Sequence, residues 1–119
     1  MAGRWNTHRG DDWWYAGGAT VADGAYNPAA HMFEITRVQG GEVQPAALHE
    51  LIHQAWEQFP GNKVFVVLDS STRPALAGLA AASLVAWEEF KQPYSLWARI
   101  LNVLPPNNSF KPTPLRGAA

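Results

Sequence analysis

The sequence predicts a single α+β (or small α/β) domain: a strand–helix–strand–helix–strand layer with an aromatic N-terminal extension. Three observations carry this. "MFEITRV" (Met32–Val38) alternates in the period of two expected of a strand. "KVFVVLD" (63–69) holds five unbroken apolar residues, three of them Val, as a central strand buried on both faces does. Two stretches of helical character, 45–59 and 75–90, follow these strands in turn. That order favours right-handed β-α-β crossovers around a parallel central strand.

Each element has its own justification. Residues 1–30 mix aromatics with Gly, Asn and Pro and read as an irregular aromatic segment or a loose hairpin. In Met32–Val38 the alternation sets Phe33, Ile35 and Arg37 on one face, and "QGGE" (39–42) turns the chain. Pro45 suits a first helical turn, where its missing N–H costs nothing, and "PGN" (60–62) stops that helix after Phe59. "SSTRP" makes the turn after the central strand, with Ser or Thr available to cap the next helix. The Ala- and Gly-rich 75–90 reads as one helix ended by "KQPY". Residues 95–104 read as a strand or a short helix, ended by Pro105-Pro106. The globular domain is expected to span 1–106. The polar, Pro-broken 107–119 is expected to form an extended, mobile tail.

Composition removes several function classes. With 47% apolar and 16% charged residues, the chain is suited to one compact core rather than disorder. A formal charge of −1 and no basic run argue against nucleic-acid binding, which needs clustered Lys and Arg. No window is long and apolar enough for a spanning helix, and the N-terminus lacks the apolar stretch of a signal peptide. No membrane association is expected, and the expected setting is cytoplasmic. The absence of Cys excludes disulfides and thiolate ligands. Six Trp are many for a domain of this size, so an interface or pocket is expected to take the surplus.

His49-Glu50-Leu51-Ile52-His53 reads H-E-x-x-H, the pattern of a zinc peptidase helix. Histidines four apart share a helical face, and the Glu between them can act as general base on a zinc-bound water. Catalytic zinc wants three protein ligands, however, and His8, His31, Asp69, Glu88 and Glu89 stand in no downstream pattern that would supply the third. The helical wheel puts Leu48, Leu51, Ile52, Ala55 and Phe59 on the core stripe, with His49, His53 and Trp56 at its border. The expectation is therefore two half-buried structural histidines, no metal and no cofactor. Asp69-Ser70-Ser71 stands at the carboxyl end of the central strand, where open α/β sheets bind ligands, but it also has the makings of a capping turn.

Two resemblances add to this. The span 40–106 has a glycine turn, a helix with spaced leucines, a "VVLD" strand, an Ala/Gly/Leu helix and a last strand ending near prolines. It resembles the STAS or anti-sigma-factor-antagonist pattern. That family's phosphorylated serine lies in an "SSG" turn at the helix start, where this chain reads Ala75-Leu76-Ala77-Gly78, so the resemblance implies a binding domain without the phospho-switch. The tail "NNSFKPTPLRGAA" resembles peptides encoded where an open reading frame runs into an integron cassette recombination site, which implies origin on a mobile gene cassette.

The functional expectation is a non-enzymatic binding or interaction module with an aromatic pocket or oligomer interface built from Trp13, Trp14, Tyr15, Trp56, Asp69, Ser70 and Ser71. The expected partners are a second copy in a two-fold dimer, or a small molecule or another protein. The alternative is a zinc-dependent hydrolase or peptidase with His49 and His53 as ligands and Glu50 as base.

Overall fold

The computed structural model describes residues 3–16, 21–39 and 42–106. The expected Gly40-Gly41 turn and the 107–119 tail lie outside these residues. Strands β1 (Arg4–Arg9), β2 (Asp12–Ala16), β3 (Ala22–Asn27) and β4 (Met32–Val38) form an antiparallel meander. Helix α1 (Pro45–Gln58) then crosses to β5 (Lys63–Val67), which lies parallel to β4. Helix α2 (Thr72–Ala81) leads into a hairpin of β6 (Val85–Gln92) and β7 (Ser95–Val103), with β7 antiparallel to β5. The product is one seven-stranded mixed sheet in the order β1-β2-β3-β4-β5-β7-β6. The expected three-strand layer is thus corrected at both ends: the aromatic extension is three strands, and residues 85–90 of the expected second helix belong to a fourth.

The N-terminal strands are held by an exchange of volume between neighbours. Trp5, Tyr15 and Phe33 point to the core side and are buried, while β3 between β2 and β4 sets the small Ala22 and Gly24, followed by the partly buried Tyr26, on that side. A Cβ added at Gly24 would come within 2.5 Å of Phe33 Cζ and 3.0 Å of Trp5 Cζ3, so the glycine is what lets both rings lie over the strand. The rings then meet edge-on: Trp5 and Phe33 have centroids 4.9 Å apart, and Trp5 and Tyr15 5.4 Å. Trp13 is on this side too, edge-on to Phe59 at 5.0 Å.

Helix α2 ends where a Schellman-type cap forms. Ser83 adopts a φ of 61°, the Leu84 N–H donates to Leu79 O at 2.9 Å, and the Ser83 N–H donates to Ala80 O at 2.9 Å. A serine holds the left-handed position that glycine usually takes, which is why no breaker shows in "AAASLVAW". Beyond it, Val85 and Trp87 turn toward the core, and the strand pairs along its length with β7. Residues 95–104, left between strand and helix by sequence, are strand to Val103.

Both helices lie against one face of the sheet and touch each other. Leu48, Leu51, Ile52 and Ala55 of α1 and Ala75, Leu76 and Leu79 of α2 bury against Ile35, Val64, Val66, Ala98 and Ile100. Helix α1 also seals the β1 edge: the Gln58 side chain accepts from Trp5 N at 2.6 Å and donates to Trp5 O at 3.0 Å. In β4 the register shifts opposite Asp23 and Gly24, so Val38 turns into the core while Arg37 stays exposed. The simple alternation had placed Arg37 with Phe33 and Ile35, and the bulge reverses it.

Candidate functional site

The residues of H-E-x-x-H go to different partners. His49 is buried, and its Nε2 donates to Leu104 O at 2.7 Å, beyond the end of β7. Burial holds its pKa below the usual histidine value, against the opposing effect of that hydrogen bond, so the ring is neutral with its proton on Nε2. Glu50 faces the other way, toward β2. There the buried Tyr15 phenol is pushed up to about 12, first by burial and then by the Glu50 charge. His53 lies 3.6 Å from Glu57, one turn along. Among the described residues, no three His, Asp or Glu side chains are grouped as metal ligands.

Asp69, two residues before the N-cap Ser71, caps the first turn of α2 with its side chain. Its Oδ1 accepts from Ser71 N, Ser71 Oγ and Thr72 N, each at 2.9 Å. Thr72 Oγ1 in turn donates to Val67 O at 2.6 Å and accepts from Asp69 N at 3.0 Å, tying the helix start to the end of β5. Burial alone would raise the Asp69 pKa, but the hydrogen bonds from Thr72 and Ser71 outweigh it and hold the carboxyl below the ordinary aspartate range. Asp69→Ala should therefore cost about 1 kcal/mol at neutral pH. The contribution is complete above the unfolded pKa and fades as pH falls through the lower folded value, so melts at about pH 7 and about pH 3 should show the gap closing in acid. A gap of the same size in acid would contradict the capping role.

The aromatic residues named from sequence divide by the strand period. Trp13 and Tyr15 of β2 face the core, and only Trp14 faces out, 39% exposed. Trp56 is on α1 beside Gly61 and Asn62, away from all of them. Most of the apparent Trp surplus is internal, with Trp5 fully buried and Trp13, Trp56 and Trp87 packed against the core.

What the fold leaves open is the other face of the sheet. Directly paired residues share a face, so the registers define a row across it: Asp12, Ala25, Glu34, Phe65, Arg99 and Glu88, on six successive strands from β2 to β6. A neighbouring row holds Val67, Trp97 and Phe90. Phe65 is only 4% exposed yet lies outside the main core, packed with its ring centroid 5.3 Å from that of Phe90. Phe90 itself is 41% exposed, and Leu101, two residues from Arg99, is exposed as well. Arg99 lies 3.9 Å from Glu88, a long and half-exposed ion pair. At the meander end, Asp12, Trp14, Val21, Asp23 and Thr36 line an open hollow of about 690 Å³, whose two carboxylates and indole could receive a cationic group.

Sequence reasoning missed Glu34, Phe65, Phe90, Trp97 and Arg99 as surface neighbours. "KVFVVLD" signals burial on both faces, but not that Phe65 turns away from both helices. No family model, no curated protein and no solved structure matches the chain. Among the described residues, no helix is long and apolar enough to cross a membrane.

Proposed function

We propose that this chain is a non-enzymatic interaction module that recognises its partner through the helix-free face of its sheet. The observation that carries this reading is the side-by-side placement of Phe65, Val67, Phe90 and Trp97 on β5, β7 and β6, on the side away from both helices. A largely antiparallel sheet with one covered face ordinarily shows polar side chains on the other. Here β5 is apolar on both faces, with Phe90 exposed and Val67 and Trp97 half-buried beside Phe65, and exposed apolar area of this kind is the mark of an interaction surface. The chemistry of the face is that of a binding surface: aromatic and aliphatic area at the centre, with Glu34, Arg99 and Glu88 beside it to set register.

Sedimentation velocity of the wild-type protein across the micromolar range, with the apolar dye anilinonaphthalene sulfonate present and followed by its own absorbance, tests the reading. The face should either carry dye on a monomer or exclude it from a larger species in which the face is covered. A monomer that sediments without dye would contradict it.

A further inference from the structure

We infer that the occupant of the open face is a second copy of this chain, docked face to face about a two-fold axis parallel to β5 at Phe65, so that Glu34 of each copy meets the partner's Arg99. The inference rests on the reading of this face as an interaction surface and adds to it the identity of the partner. Its basis is the order of charge in one row. Phe65 stands between Glu34 on β4 and Arg99 on β7, each one strand away. Neighbouring strands lie about 4.8 Å apart, so the negative and positive groups are nearly equidistant from the central ring.

A two-fold relation makes this row complementary to itself in one orientation only. Rotation about an axis along β5 exchanges the β4 side with the β7 side, laying each carboxylate over a guanidinium. Rotation about an axis along the row leaves the sides in place, setting Glu34 on Glu34 and Arg99 on Arg99. Like charges facing each other across an interface cost several kcal/mol, so the charge order selects the first axis. Packed sheets lie about 10 Å apart, a gap that an extended Glu and an extended Arg span together. Isologous pairing of this kind is the commonest closure among oligomers.

The state of the two groups in the single chain fits this arrangement. Glu34 takes part in no ion pair among the described residues, although it is half-buried and burial alone raises its pKa. Among the described residues Arg99 is held only by the long contact to Glu88, and with 40% of its side chain exposed it can turn across the interface. Phe90, with Val67 and Trp97 in the neighbouring row, supplies apolar area, while the charges fix which way the copies face.

Sedimentation of charge-reversal variants tests the inference, with a thermal melt of each variant as the control for folding. Wild-type protein should be a dimer. Glu34→Arg and Arg99→Glu should each weaken the dimer by more than about tenfold in Kd, and the combined variant should recover most of the loss because the pairs are restored with their signs exchanged. A wild-type dimer that neither single reversal weakens would place the contact elsewhere and overturn the inference. A wild-type monomer that carries the apolar dye would also overturn it while leaving the face as a binding surface for another partner. A monomer without dye would remove both readings.

Discussion

Replacing Val66 with aspartate should destroy cooperative folding at ordinary temperature. Val66 is fully buried on β5, between β4 and β7 and beneath both helices, in contact with the centre of the apolar cluster. Its neighbours in register are Ile35 and Ala98, neither of which can pair with a carboxylate. An aspartate there must either remain charged without a partner or take up a proton, and both routes cost several kcal/mol. A domain of this size is stabilised by only about 5–15 kcal/mol, so the substitution removes a large part of the total. Circular dichroism melts read the result directly. A soluble variant with a cooperative transition near the wild-type melting temperature would show that β5 is not a buried central strand.

Trp5→Ala should come next in size, at about 3–5 kcal/mol for a large ring removed from a packed core. Three independent contacts converge on this residue. The ring packs edge-on against Tyr15 and Phe33, its Nε1 donates to Leu51 O at 3.1 Å in α1, and its main chain is held by the Gln58 amide. Only the last survives the substitution. The loss should appear as a lower midpoint in urea with β1 most affected, so that hydrogen exchange accelerates first in residues 4–9. A variant with wild-type midpoint and unchanged exchange there would mean that β1 is not docked through its tryptophan.

The part of the fold legible in the sequence is the part whose pattern is local. The β4–α1–β5 unit could be read because Phe33 and Ile35 alternate, Leu48, Leu51, Ile52 and Ala55 repeat at helical spacing, and Pro60-Gly61 breaks the chain between them. The meander could not. In β3 two of the core-facing positions are Ala22 and Gly24, which look like loop residues until the rings of Trp5 and Phe33 are seen to fill the space above them. The end of α2 was hidden for a related reason. Ser83 takes a conformation that composition does not announce, and the residues that follow are strand because β7 pairs with them. The two are a case of tertiary pairing overriding local propensity.

The candidate site was less legible still, because a face of a sheet exists only once the register is set. Glu34, Phe65 and Arg99 are neighbours by way of two different pairings, one parallel and one antiparallel. "DDWWY" looked like an aromatic cluster in one dimension, but the period of two sends Trp13 and Tyr15 inward and Trp14 out. The H-E-x-x-H pattern was equally one-dimensional. Its Glu reaches toward the Tyr15 phenol, and its first His is spent on a carbonyl at the far end of the hairpin.

The central claim is that the helix-free face serves recognition and not stability. A Phe90→Glu variant tests it most directly, since this side chain is exposed on that face and does not belong to the main core. The account predicts a melting temperature within a few degrees of wild type, together with loss of whatever the face binds, whether a second copy or the apolar dye. A variant that unfolds, or one that keeps wild-type association and dye binding, would contradict it.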